Sequence, residues 1–361
     1  MFEIQNLNMF TDAEKDMLNK NKANFRKIIS SFLKESHNAS KLPYCYYCGK
    51  ETTSFCNSHL VPAFCLRNIA SMGDVACLNA LIDFPLMDEK KGVNEAGTFR
   101  IICRDCDGKI FSDYENPTNY ENLPTPKMLA QIALKNNLKF ISRRLVENEL
   151  HKIMHSKLCL PESFYNSKQD ATNLDLDEYI KGYQKAKRTL EKNWTGEYYL
   201  CYYKKLNYVA PIAFQDCIAM VTGFNGETIN DVYNHNKKYE LKYIHICVFP
   251  LKSETVIMMF VDNGDNRYRN FYKQLKKLPL EEQLSVIMFI LFSYSQDVFF
   301  SKSVVEEAKS NAALVEASMK GQDIYSTTPT GDFLSMAKRN FDLSNRKNIL
   351  NLLAEKYKLN M

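Results

Sequence analysis

Residues 45–62 read CYYCGKETTSFCNSHLVP, which places three thiols and one imidazole in the fifteen positions from Cys45 to His59. Cys45 and Cys48 have the C-x-x-C spacing of a metal knuckle. Cys103 and Cys106 repeat it further along, and each pair lies beside a turn residue, Gly49 or Gly108. A structural zinc ion prefers a closed tetrahedron of ligands, and two knuckles supply four thiolates. A local alternative is also present: Cys45, Cys48, Cys56 and His59 form a C-x2-C-x7-C-x2-H set. In that arrangement His59 is a ligand. In the first arrangement its imidazole stays unligated, with a pKa that lets it take up a proton near neutrality.

Composition sets the frame around this stretch. The chain has 361 residues, enough for two domains of ordinary size, with 45% apolar, 12% aromatic and 25% charged residues. A net charge of +5 permits nucleic-acid binding without demanding it. The N-terminus MFEIQNLNMFTDAEKD lacks the pattern of a signal peptide. The apolar run IMFILF at 287–292 falls far short of the ~20 residues of a membrane span. These features predict a cytoplasmic protein with no membrane partner. In a reducing compartment the 11 cysteines, seven of them between 45 and 106, read as metal-binding rather than as a disulfide framework. Cys159, Cys201, Cys217 and Cys247 read as small core residues.

Working outward, Thr11-Asp12-Ala13-Glu14 forms a capping box for a helix running to about Lys34. Thr125 and Pro126 suit the cap and first turn of a second helix that ends near His155. Residues 160–173 read as a loop, followed by a helix from about Leu174 to Asn193. The period then changes. Tyr198–Tyr203, Val209–Thr222 and Tyr243–Val261 read as an antiparallel sheet of four or five strands, with turns at Asn225-Gly226 and Asn263-Gly264. Helices are expected again over Leu280–Tyr294, Val304–Met319 and Arg346–Lys358. The fold class is therefore α+β: a small zinc-bound module plus a larger domain with an antiparallel sheet and helices. The expected division is 1–40 as an N-terminal helix, 41–122 as the zinc module, 123–195 as a helical connector and 196–361 as the C-terminal domain, regulatory or partner-binding.

The order CxxCG, then SHLVP, then CxxCD opening a helix resembles the HNH, or ββα-metal, endonuclease family, whose module is treble-clef-like. The resemblance covers 41 to about 117. It implies that Cys45, Cys48, Cys103 and Cys106 staple the module around structural Zn2+. It further implies that His59 is the general base and that Asp107 holds a catalytic divalent ion, Mg2+ or Mn2+. Asn79 or Asn94 matches the family's middle asparagine. Ser58 departs from the pattern, since active members usually carry an acidic residue before the histidine. Glu115, eight residues after Asp107 and about 80° away round a helix, is the carboxylate expected to complete the ion's ligands, with Asp113 as its acidic neighbour. The implied activity is hydrolysis of phosphodiester bonds in DNA rather than RNA. A small nuclease module on a larger unrelated domain also resembles the effectors of bacterial restriction and antiviral defence systems.

Lys135, Lys139, Arg143 and Arg144 fall on the helix after the module and read as a basic row that would hold a phosphate backbone. Lys185, Lys187 and Arg188 are a weaker cluster. His151 and His155 read as surface histidines, because the glutamate of H-E-x-x-H is missing. His235 and His245 have no visible partner. The chain has no Walker motif and no dinucleotide fingerprint. Two other readings stand beside the enzyme. One is a catalytically inactive zinc-knuckle module that binds nucleic acid or protein. The other is a subunit of a larger complex, or a homo-oligomer, joined through its C-terminal domain, where Leu280–Tyr294 is apolar on most faces and belongs inside the domain or at an interface.

Overall fold

The computed structural model describes residues 20–82, 88–234, 236, 238–323 and 332–360. It is a mixed helix-and-sheet protein. A seven-stranded, fully antiparallel sheet has the order β3-β2-β9-β6-β7-β8-β5. The strands are β2 (Asp74–Cys77), β3 (Lys90–Gly92), β5 (Tyr198–Leu206), β6 (Ile212–Ile218), β7 (Ile244–Pro250), β8 (Thr255–Asp262) and β9 (Phe299–Phe300). A separate hairpin pairs β1 (Ser58–His59) with β4 (Thr98–Phe99).

The middle strands read as continuous apolar runs because both faces of the sheet are covered. Alternate residues divide between two cores, as the two-residue period of a strand requires. Phe214, Ile246 and Met259 face one core with α8 (Leu280–Tyr294). Ala213, Cys247, Phe249 and Met258 face the other, which includes Cys45, α2 (Ala63–Ile69) and α5 (Pro126–Leu158). Helix α8 is buried from Val286 to Ser293, so its apolar surface is spent inside the protein rather than displayed to a second subunit.

Helix α5 starts as its sequence dictates, with Thr125 accepting a hydrogen bond from the Met128 amide (3.2 Å) and Pro126 in the first turn. It packs along α6 (Glu162–Glu191), so residues 160–173, expected as a loop, are helical from Glu162 onward. Pro161, which suggested a loop, stands at the cap position, where its missing N–H costs nothing. The expected helix Arg346–Lys358 is two short 3₁₀ turns, Leu343–Asn348 and Glu355–Tyr357, and Val304–Met319 is broken at Asn311 into α9 (Val305–Ser310) and α10 (Ala312–Asp323). The first helix, α1, spans Lys22–Ala39; the capping box at Thr11 lies outside the described residues. Turns at Gly226 and Gly264 fall as expected, both at positive φ (70° and 88°).

The expected boundary near residue 122 is not a break in the structure. Strands β2 and β3 arise from the segment between His59 and Cys103, and Ala76 and Cys77 pair with Phe300 and Phe299. The Cys-rich region therefore supplies one edge of the sheet that the C-terminal part builds.

Candidate metal centre and the buried cluster beside it

The first knuckle is a tight turn. The Gly49 amide donates to the Cys45 carbonyl (2.8 Å) with Gly49 at φ 69°, and the Cys45 amide donates to the Lys50 carbonyl (2.9 Å). Its flanks are held in place: the Tyr46 amide donates to Ile101 O and the Cys56 amide to Ile102 O, both at 2.9 Å. Helix α6 braces it from outside through Tyr183 Oη to Tyr46 O (3.1 Å) and Lys187 Nζ to Tyr47 O (2.7 Å). The second knuckle opens α4 (Arg104–Ile110), with Cys103 in extended conformation at the cap and Cys106 in the first turn.

These turns bring Cys45, Cys48, Cys103 and Cys106 together, with their sulfurs all within 4.8 Å of one another. A tetrahedral zinc site with Zn–S near 2.3 Å needs sulfurs about 3.8 Å apart, so the thiols lie close to that geometry. The donor chemistry also fits. Burial opposes ionisation of the Cys45 thiol, but amide donors from Cys48, Cys103 and Tyr47 outweigh it and lower its pKa, while burial and the neighbouring thiols push that of Cys106 up, so the four sulfurs share protons that a bound cation would displace. Metal binding requires that thiolate form. The four-cysteine cluster can thus hold a metal such as zinc, and it is the one such group among the described residues.

The rival set of Cys45, Cys48, Cys56 and His59 does not form. Cys56 Sγ instead donates to Asp107 Oδ2 (3.3 Å), and His59 Nε2 lies 2.9 Å from the Val93 carbonyl. A carbonyl only accepts, so Nε2 carries the proton and Nδ1 keeps its lone pair. Burial holds the His59 pKa below its ordinary value; the Val93 carbonyl, Glu115 and Asp107 oppose that shift, and Lys135 adds to it.

Asp107, itself partly buried, sits at the centre of a polar cluster built on the fully buried Lys135. Its Oδ1 accepts from Ser58 Oγ (2.5 Å) and from Lys135 Nζ (2.8 Å). Lys135, with 0% of its side chain exposed, also reaches Glu115 Oε1 at 3.0 Å and stands 3.8 Å from the centre of the Phe111 ring. Burial raises the Asp107 pKa, but the Lys135 charge and the hydrogen bonds from Lys135, Ser58 and Cys56 more than reverse this. Glu115 Oε1 accepts as well from Tyr114 Oη (3.3 Å). Asp107 and Glu115 do converge, but not through a helical offset: the helix ends at Ile110 and Glu115 lies in the turn that follows, and what the two carboxylates meet is an ammonium group. The expected Mg2+ or Mn2+ site does not fit these contacts, because the Lys135 ammonium stands between the two carboxylates where a shared divalent ion would have to sit.

The expected basic row has the same character. Lys135 and Lys139 are buried, Lys139 pairs with Asp297, Arg143 with Glu147 and Asp297, and Arg144 with Glu147 and Asp175. The row faces the interior along α5, where its charges are met by carboxylates, and does not form a solvated phosphate-binding stripe. Asp113 is tied to Gln131 (2.7 Å) and Lys127 (2.8 Å), Asn79 donates to Asp88 O (3.3 Å), and the Asn94 carbonyl accepts from Asn57 (2.6 Å) beside Val93. Lys185 pairs with Asp262 (3.1 Å).

Other expectations resolve simply. His245 is buried against Asn136 (2.9 Å) and stacked on Phe260. Burial, with a smaller effect of Lys185, lowers its pKa to about 3. His155 stacks on Tyr165, and burial lowers the His151 pKa to about 4. Cys201, Cys217 and Cys247 are buried, but Cys159 is exposed at the left-handed end of α5. His235 lies outside the described residues. Among the described residues, no helix is long and apolar enough to cross a membrane. Comparison of the chain with models of known protein families, with curated proteins and with solved structures finds no match.

Sequence reasoning missed the Asp107–Lys135–Glu115 cluster. A lysine at 135 in an otherwise apolar-rich helical turn, MLAQIALKNNLKF, was the one available signal.

Proposed function

We propose that residues 41–117 form a treble-clef-like ββα-metal module and that the protein is an HNH-like hydrolase of phosphodiester bonds in DNA. The observation that carries this reading is the imidazole between the two knuckles. His59 stands outside the thiol cluster, on the hairpin β1–β4 that precedes α4, with its Nε2 proton given to a backbone carbonyl. In this reading the Nδ1 lone pair takes a proton from water as the water oxygen bonds to phosphorus, the P–O bond to one sugar breaks on the opposite side, and the departing sugar oxygen takes a proton from solvent while the imidazolium returns its own. Zinc in the four thiolates supplies no open coordination position; it fixes the knuckle against α4 and so fixes the hairpin. Ser58 and Cys56 donate to Asp107 and fix its carboxylate. The sheet domain would control access to DNA or dock a protein partner.

A second reading is favoured by one specific contact: Lys135 neutralises Asp107 and Glu115 from within. In it the module keeps the fold of a nuclease and binds nucleic acid or protein without cutting. Incubating the zinc-loaded full chain with supercoiled plasmid DNA separates the two, with and without added Mg2+ or Mn2+ and with His59→Ala alongside. Nicking by the wild type and not by the variant supports hydrolysis. DNA retention without nicking, under every ion condition, supports the binding module.

A further inference from the structure

We infer that the ammonium group of Lys135 is the resident cation of the Asp107–Glu115 pair, and that it stands where the resemblance would place a divalent metal ion. The inference rests on reading Asp107 as the helix residue that faces the reacting centre.

Three observations carry it. Lys135 Nζ bridges the two carboxylates at 2.8 Å and 3.0 Å, which is the way a hard cation bridges oxygen ligands. The side chain is completely buried, and its approach is shaped by the Phe111 ring beneath it. It also comes from the fully buried stretch of α5, so neither its backbone nor its stem can withdraw without opening the core. A fully buried ammonium held by two carboxylates is strongly committed to that place, since leaving them would strand its own charge in the apolar interior of the helix packing, while Asp107 and Glu115 keep part of their surface toward solvent. Mg2+ or Mn2+ could enter only by displacing it. Ser58 has a matching explanation. An acidic residue there would bring a third carboxylate to a single ammonium, whereas a hydroxyl donates a hydrogen bond to Asp107 Oδ1. Serine at 58 and lysine at 135 are thus complementary parts of one metal-free arrangement.

The test uses Mn2+ as the probe and the zinc-loaded full chain as the protein. Bound Mn2+ is followed by electron paramagnetic resonance for wild type, Asp107→Asn, Lys135→Met and the double variant. The expected result is that wild type and Asp107→Asn titrate alike, while Lys135→Met gains a site roughly tenfold tighter or more, which the double variant loses. A wild-type Mn2+ site lost in Asp107→Asn overturns the inference, as does a folded Lys135→Met that gains nothing. A measurement needing no variant guards against misfolding. Acylation of lysines by an amine-reactive ester, mapped by mass spectrometry, should leave Lys135 protected relative to the exposed Lys127, with or without Mn2+. Exposure of Lys135 on adding Mn2+ overturns the inference. Neither measurement involves DNA. A chain that fails to nick plasmid leaves this inference standing, and a Mn2+ site at Asp107 removes it while leaving the nuclease reading intact.

Discussion

Lys135 and Asp216 show how strongly single buried charges depend on their partners. Replacing Lys135 by methionine preserves volume but leaves Asp107 and Glu115 uncompensated. We expect a loss of about 3 kcal/mol or more in urea unfolding, partly restored by adding Asp107→Asn. Asp216 is a different case. It lies on β6, accepts from Ser295 Oγ (2.5 Å) and the Cys217 amide (2.9 Å), and faces Asp297 with Lys139 and Arg143 from α5. Burial and the neighbouring Asp297 carboxylate push its pKa up to about 7, against the pull of Lys139. An unfolded aspartate titrates near 4, so between about pH 4 and pH 7 the folded chain holds a proton that the unfolded chain has lost. Stability from this group therefore declines as pH rises through that window. Asp216→Asn should remove the decline: its stability relative to wild type should rise by on the order of 2 kcal/mol from pH 5 to pH 8. An unchanged difference across those two urea titrations would refute the assignment.

At the scale of elements, the knuckles and the capped helix were legible because their signals are local. Two C-x-x-C pairs, a Thr-Pro cap at 125–126 and asparagine–glycine turns each depend on residues a few positions apart. What could not be read depends on distant packing. Residues 162–173 are polar and follow a proline, yet they are helical because α5 offers them a partner. The Arg346–Lys358 pattern suggested a helix, but Leu352 and Leu353 are buried side by side in an irregular segment. Strand β3, Lys90-Lys91-Gly92, carries no strand signal; β2 alone makes it a strand. The basic row on α5 reads from sequence as a phosphate-binding stripe because its carboxylate partners Asp107, Glu115 and Asp297 lie on other elements, out of sight of the local pattern. The metal centre makes its own prediction here. Because Cys103 and Cys106 open the short helix α4, stripping zinc with a chelator should speed amide hydrogen exchange in 45–50 and 103–110 before it does so in α5. Uniform loss of protection would show that the thiols hold nothing structural.

For the whole molecule, the expected four-part division gives way to a shared sheet. Cys45 belongs to the same apolar core as Phe249 of β7 and Met258 of β8. A fragment covering 41–122 would leave β2 without β9 and would expose one side of that core. We expect such a fragment to lack dispersed amide resonances even with zinc, while the full chain melts in one cooperative calorimetric transition. A folded fragment would restore the independent module.

The pairing of β2 with β9 has an aggregation corollary. Pruning the segment between His59 and Cys103 back to a short hairpin loop would strip two strands from the sheet and leave Phe299 and Phe300 with unpaired amides and carbonyls beside an apolar surface. Such a border recruits a stranger's strand. The basic pair Lys90 and Lys91 on outermost β3 then has a protective sense, as charged gatekeepers that keep the sheet from growing onto another molecule.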